Sequence, residues 1–190
     1  TIPAEDTRWG ICGTPDCHHF WHVDVAGFST KVEVKCGIKL WFIAREKRLN
    51  DFSKPTLYRR NYNVTAMNLD MWDIELVVLR AGDELYQQPN TPHCVYTAES
   101  AICHGAYLYS LATIQRSVHG LLHCFVRGVV LTNVGFLATS RRLLCRIITF
   151  WRDALPSFPD RTHEKDHHLP DLSNFDGVMD MLTLCAFMEL

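Results

Sequence analysis

The sequence predicts a mainly β domain with an α-helical appendix. Three observations carry this. Short segments of alternating hydrophobicity, each closed by a glycine or proline turn, run from about residue 20 to residue 109. From Ser110 the apolar spacing changes to three and four. At 190 residues, with 47% hydrophobic and 11% aromatic residues, the chain is long and apolar enough for one real core. Strands first and helices after them read as a small antiparallel barrel or sandwich over residues 1–110. A helical extension over 111–190 packs on the same domain.

Residues 1–20 read as irregular, with Gly10, Gly13 and Pro15 as punctuation. A strand is expected over Phe20–Val25 and is broken by Ala26-Gly27. Thr30–Val34 alternates, with Val32 and Val34 on one side and Lys31, Glu33 and Lys35 on the other. Cys36-Gly37 reads as a turn, and Lys39–Ala44 as an apolar strand with a charged start. Residues 45–71 are polar and without period, as in an inserted loop. Trp72–Arg80, Glu84–Gln88, His93–Thr97 and Ala101–Tyr109 are the remaining strands, with turns at Ala81-Gly82-Asp83, Pro89–Pro92 and Glu99-Ser100.

Leu111, Ile114, Val118, Leu121, Leu122 and Phe125 make one apolar helical face. A second helix is expected over Leu137–Ala154, with Leu144, Ile147, Ile148 and Trp151 inward, and Pro156 and Pro159 stop it. Residues 160–174 read as a polar loop. Ser173 or Asn174 is placed to cap a last helix over Asp176–Met188.

A net charge of −2 provides no basic field for nucleic acid. No apolar run reaches the ~18 residues of a membrane span. The eight cysteines are scattered without a Cys-x-x-Cys pair, which in a chain of this size reads as reduced thiols of an intracellular protein. The chain begins at Thr1 rather than Met and reads as an excerpt or a processed chain.

The chemistry concentrates in Trp21–Trp41. His22 and Asp24 are two apart, so on a strand one imidazole and one carboxylate point the same way. That is two thirds of a facial triad for non-haem Fe(II), and His93, at the start of a strand after a tight turn, is placed to supply the third ligand. A 2-oxo acid fills two open iron positions with its keto-acid end. Its far carboxylate then needs a cation on a neighbouring strand. Lys39 opens an otherwise apolar strand, where an ammonium is costly to bury without an anion. Lys31 and Lys35 lie in a charged face instead.

Other clusters have plainer readings. Cys12, Cys17, His18 and His19 have loose spacing for zinc and no second pair nearby. His119 and His123 share a helical face without the Glu of a His-Glu-x-x-His motif. His163, His167 and His168 lie in a polar loop.

Four stretches carry a resemblance. They are His22-Val23-Asp24 followed by Gly37-Ile38-Lys39-Leu40-Trp41; Leu79-Arg80-Ala81-Gly82-Asp83-Glu84-Leu85; Pro89-Asn90-Thr91-Pro92-His93-Cys94-Val95; and Ile102-Cys103-His104-Gly105-Ala106-Tyr107-Leu108-Tyr109. On them the chain resembles a Jumonji-C (JmjC) domain over roughly Trp9 to Ser110, particularly the divergent JmjC-like domains of fungal proteins. The resemblance implies a double-stranded β-helix of the cupin or jelly-roll kind that binds Fe(II) and 2-oxoglutarate and uses O2. It implies hydroxylation of C–H bonds, which on N-methyl-lysine leads to demethylation. His22, Asp24 and His93 match the iron ligands, and Lys39 matches the lysine that holds the distal carboxylate of 2-oxoglutarate.

The position three before the first ligand often carries a Thr in that family. Here it is His19, whose imidazole N–H can donate the same hydrogen bond. The family's strand Tyr or Asn facing the co-substrate has Thr30 as its uncharged polar counterpart, with Tyr107 or Tyr109 as alternatives. A methyl-lysine histone tail, another protein side chain and a small molecule all fit as substrate. The location implied is intracellular, and nuclear for a histone substrate. The alternative function is a catalytically silent JmjC-like interaction or scaffold module.

Overall fold

Two long strands carry the β region of the computed structural model, which describes residues 7–47, 69–127, 132, 138–155 and 168–189. β3 runs Ser29–Glu46 and β6 runs His93–Leu108. They pair antiparallel from Ser29 opposite Leu108 to Ile43 opposite His93. β1 (Arg8–Gly13), β2 (His18–His22), β4 (Trp72–Arg80) and β5 (Glu84–Gln87) complete the sheet. The outer edge of β3 takes β5 along Thr30–Glu33 and β4 along Ile38–Glu46. The outer edge of β6 takes β2 along its first half and β1 along its second.

Two halves result, β1-β6-β3-β5 and β2-β6-β3-β4, continuous through the two long strands. Val32, Val34 and Cys103 of one half share a core with Trp41, Ile43, Leu79 and Val95 of the other, so the sheet folds over on itself. This is a double-stranded, cupin-like β fold followed by C-terminal helices.

The turns expected at Cys36-Gly37 and Glu99-Ser100 are bends within continuous strands. The ladder runs through both, with register irregularities between Val34 and Lys39. Gly37 has φ +76, and a Cβ there would lie 2.1 Å from the Ser100 carbonyl oxygen. Only glycine permits that backbone and that approach. Across the bend the buried positions of β3 change from even (Thr30, Val32, Val34) to odd (Lys39, Trp41, Ile43). The region expected to be irregular contains β1, and the strand expected over Phe20–Val25 is β2, which ends at His22. Val25–Gly27 is a single 3-10 turn. The loop expected over 45–71 falls largely on residues 48–68, outside the described residues; its two ends belong to β3 and to a 3-10 turn at Leu69–Met71.

The helices are α1 (Ile114–Arg127), α2 (Ala138–Ala154) and α3 (Phe175–Glu189). Ile114, Val118, Leu121, Leu144, Trp151 and Leu184 pack around Val25, Ala26 and Phe28, immediately after Asp24. Phe28 is fully buried and stacks on Tyr109 at 4.4 Å and Tyr107 at 5.3 Å. Burying that ring contributes about 2–3 kcal/mol. Leu122 and Phe125, expected inward, are exposed instead. Ser117 and Gly120 of α1 lie against Gly27, and His123 against Asn90; these are small or polar residues that hydrophobic spacing does not select. Asn174 caps α3, its side-chain oxygen accepting the Gly177 amide at 2.8 Å. Gln115 of α1 donates to Asp180 of α3 at 2.7 Å. No helix among the described residues is long and apolar enough to cross a membrane.

Candidate metal centre

His19 and His22 are three apart, a spacing that puts side chains on opposite faces of a regular strand. β2 resolves this with an irregularity. His19 pairs with Val95 and His22 with His93, so one extra residue of β2 is accommodated between them. Both histidines therefore align with inward positions of β6, and Phe20 is left 69% exposed. Asp24 is not on a strand. It lies beyond the end of β2, just before the 3-10 turn. Asp24 keeps extended backbone (φ -67, ψ 148), and the 3-10 turn begins only after it, at Val25.

Ligating atoms of His22, Asp24 and His93 all lie within 4.8 Å of one another, and all three residues are buried. Hydrogen bonds orient each of them. His22 donates Nδ1–H to the Phe20 carbonyl at 2.7 Å, and His93 donates Nδ1–H to the Thr91 carbonyl at 3.0 Å. A carbonyl only accepts, so in both rings Nδ1 carries the proton and Nε2 is the basic nitrogen, the one able to ligate a cation. Asp24 takes the Thr30 hydroxyl and the Gln87 amide N–H, the latter at 3.1 Å, both on Oδ2. Oδ1 is the oxygen left for a cation.

Gln87 is itself fixed, since Trp41 donates Nε1–H to its Oε1 at 2.8 Å. The Trp41 ring stacks on His93 with centroids 5.4 Å apart and planes 7° apart. The Gln87 Nε2 also lies 2.9 Å from His93 Nδ1. A nitrogen donating to Thr91 cannot accept from Gln87. A cation on Nε2 selects the Thr91 donor and leaves the Gln87 amide to Asp24.

Burial, and then the neighbouring His93, pull the His22 pKa down to about 4. The imidazole is neutral near pH 7, as metal ligation requires. Two imidazoles and one carboxylate held in this way fit a facial set for a divalent transition metal such as Fe(II).

Lys39 is 4% exposed and donates to the Thr97 hydroxyl at 2.6 Å. Among the described residues no carboxylate pairs with it. Thr97 lies directly opposite Lys39 on β6. His19 is exposed, and its pKa is lowered by partial burial, then by Lys39 and His93. It therefore stands near both the ammonium and His93. Thr30 binds Asp24. Tyr107 lies opposite Thr30, its hydroxyl pKa raised by burial and then by Asp24. Tyr109 donates to the Ala26 carbonyl at 2.7 Å.

Gln87 and Thr97 were not predicted. Both are defined by strand register, which sequence spacing does not reveal. Cys12, Cys17 and His18 are exposed and form no ligand cluster among the described residues, where the His22, Asp24 and His93 set alone qualifies. His119 is exposed, His123 is buried and bonded to Asn90, and His163 and His167 lie outside the described residues. All eight cysteines are free thiols.

No family model matches the chain, and no curated protein matches it. Solved structures similar to it include the Drosophila melanogaster CENP-C cupin domain, at 9% identity and TM-score 0.38, over 57% of this chain and 65% of that one. Drosophila melanogaster CENP-C bound to CAL1 is similar at 10% identity and TM-score 0.37, over 55% of this chain and 63% of that one. An oxalate decarboxylase variant from Bacillus subtilis is similar at 11% identity and TM-score 0.36, over 56% of this chain and 22% of that one. The chain spans less than two thirds of the length of each of these neighbours. At these scores the fold assignment rests on the strand pairing itself.

Proposed function

We propose that the chain is an Fe(II)- and 2-oxoglutarate-dependent oxygenase of JmjC type that hydroxylates or N-demethylates a protein side chain. The observation that carries this reading is a buried ammonium, Lys39, with no carboxylate partner among the described residues, in the same fold as a two-imidazole, one-carboxylate cluster. An unpaired buried cation is costly, and a dicarboxylate co-substrate relieves that cost. A purely structural metal site has no need of it.

Fe(II) with 2-oxoglutarate and O2 supplies an oxidant able to take hydrogen from an unactivated C–H bond. The chain's own residues do the rest. His22 and His93 present Nε2, and Asp24 presents Oδ1. Thr30 and Gln87 hold the Asp24 carboxylate in place. Lys39 and Thr97 receive the distal carboxylate of the co-substrate. His19, neutral near pH 7, offers an N–H beside Lys39. Trp41 shields one face of His93 from water.

The substrate is a protein side chain, with methyl-lysine of a histone tail as the first to try. The location that follows is intracellular, and nuclear for a histone. The test is anaerobic addition of Fe(II) and 2-oxoglutarate. The expected result is a visible charge-transfer band, followed by succinate when air is admitted. A folded protein that shows neither overturns the reading and leaves a silent interaction module in its place.

A further inference from the structure

We infer that helix α1 sets the separation of Asp24 from His93, with Gly120, His123 and Asn90 as positioning residues. The inference rests on the metal-centre reading above. The ladder fixes His22 against His93, because these two residues pair across β2 and β6. Asp24 lies past the end of β2 and outside any ladder; Thr30 and Gln87 hold its carboxylate, and the place of its backbone is left to the turn that follows.

The two turns next to these ligands share an unusual feature. Ala26, two residues after Asp24, has φ 56, and Asn90, three residues before His93, has φ 54. Left-handed backbone is disfavoured for Ala and persists where the surroundings over-determine it, whereas Asn adopts it more readily. For both turns those surroundings include α1. A Cβ at Gly120 would lie 2.8 Å from the Gly27 Cα and 3.3 Å from the Asn90 Cβ. A single helical residue therefore touches both turns, and only glycine allows the approach.

Less than one helical turn further on, His123 is fully buried and donates Nδ1–H to the Asn90 side-chain oxygen at 3.0 Å. On the other turn the Tyr109 hydroxyl holds the Ala26 carbonyl at 2.7 Å. Ile114, Val118 and Leu121 anchor the helix in the core. The distance between the turns is thus referred to one rigid element.

The test is a Co(II) titration of the full chain, followed by visible absorption, with Tm measured on the same samples. His123→Ala removes the donor. Asn90→Gly removes the acceptor while keeping a residue that tolerates the left-handed backbone, so the same bond is read from either side if one variant fails to fold. Either variant is expected to weaken Co(II) affinity about tenfold and to change the cobalt band, the usual scale for losing a group that supports metal ligands. His123→Asn, whose amide N–H replaces the Nδ1–H, restores both. Val34→Ala, in the sheet core opposite Cys103 and outside the helical cluster, lowers Tm and leaves affinity and band as in wild type.

Wild-type affinity and band in the folded donor or acceptor variants overturn the inference while the metal-centre reading stands. An equal loss of affinity in Val34→Ala also overturns it, since the effect is then general loosening. A wild-type chain that binds no Co(II) overturns both.

Discussion

At the scale of single residues, the centre depends on groups whose burial has a cost. Lys39 is nearly inaccessible, and its one hydrogen bond among the described residues is to a neutral hydroxyl. Lys39→Met keeps the length and removes the charge. It is expected to leave the apo Tm unchanged or raised, because an unpaired buried ammonium is destabilising. It should weaken 2-oxoglutarate binding tenfold to a hundredfold, or about 1.5–3 kcal/mol for a charge-assisted bond. Calorimetric titration with Co(II) present measures this, and undiminished binding would mean that the anchor lies elsewhere. The convergence of His22, Asp24 and His93 was legible in the sequence because a His-x-Asp pair, a His after a tight turn and the family resemblance pointed to the same three residues. Gln87 and Thr97 were not, because an amide and a hydroxyl acquire their roles only by facing Asp24 and Lys39 across the sheet.

At the scale of elements, glycine-marked bends look like chain reversals in one dimension. Cys36-Gly37 and Glu99-Ser100 read as turns, but they are where the long strands bend against each other. Gly37→Ala would force both a left-handed Ala and a contact near 2.1 Å with the Ser100 carbonyl. A loss of about 2 kcal/mol or more is expected from urea unfolding. Gly82→Ala shares a positive φ, here +91, but meets nothing within 4 Å, and is expected to cost only about 1 kcal/mol. Equal costs would mean that the close approach at the bend does not matter. The helices were placed well by the three-and-four spacing, and of the two expected caps, Ser173 and Asn174, it is Asn174 that caps α3. The α1 face against Gly27 and Asn90 escaped because Gly120 and His123 carry no hydrophobic signal.

At the scale of the whole molecule, the β fold and the helices meet at the segment that follows Asp24, so ligand occupancy and global stability are linked. Co(II) at a hundred times its Kd is expected to stabilise by about 2.7 kcal/mol. For a chain of this length that is a rise in Tm of roughly 5–10 °C, reversed by a chelator. No shift would argue against a formed site. His22 adds a pH dependence to the apo protein. Its folded pKa, about 4, lies below the ordinary 6.5, so the unfolded chain binds the extra proton between those values. Its contribution is complete above pH 6.5, falls as pH drops toward 4, and is gone below. The metal-induced rise in Tm shrinks over the acid end of the same window as protons compete for the imidazole. The broad architecture was legible because strand and helix periodicities differ. The continuity of β3 and β6 was not, since pairing between distant segments has no local signature.

The stacking of Trp41 on His93 gives the protein an optical reporter of its own. A paramagnetic ion on the imidazole sits within energy-transfer range of that indole, so filling the site dims part of the intrinsic fluorescence. Trp41→Phe removes that response and leaves the other four tryptophans as an internal reference.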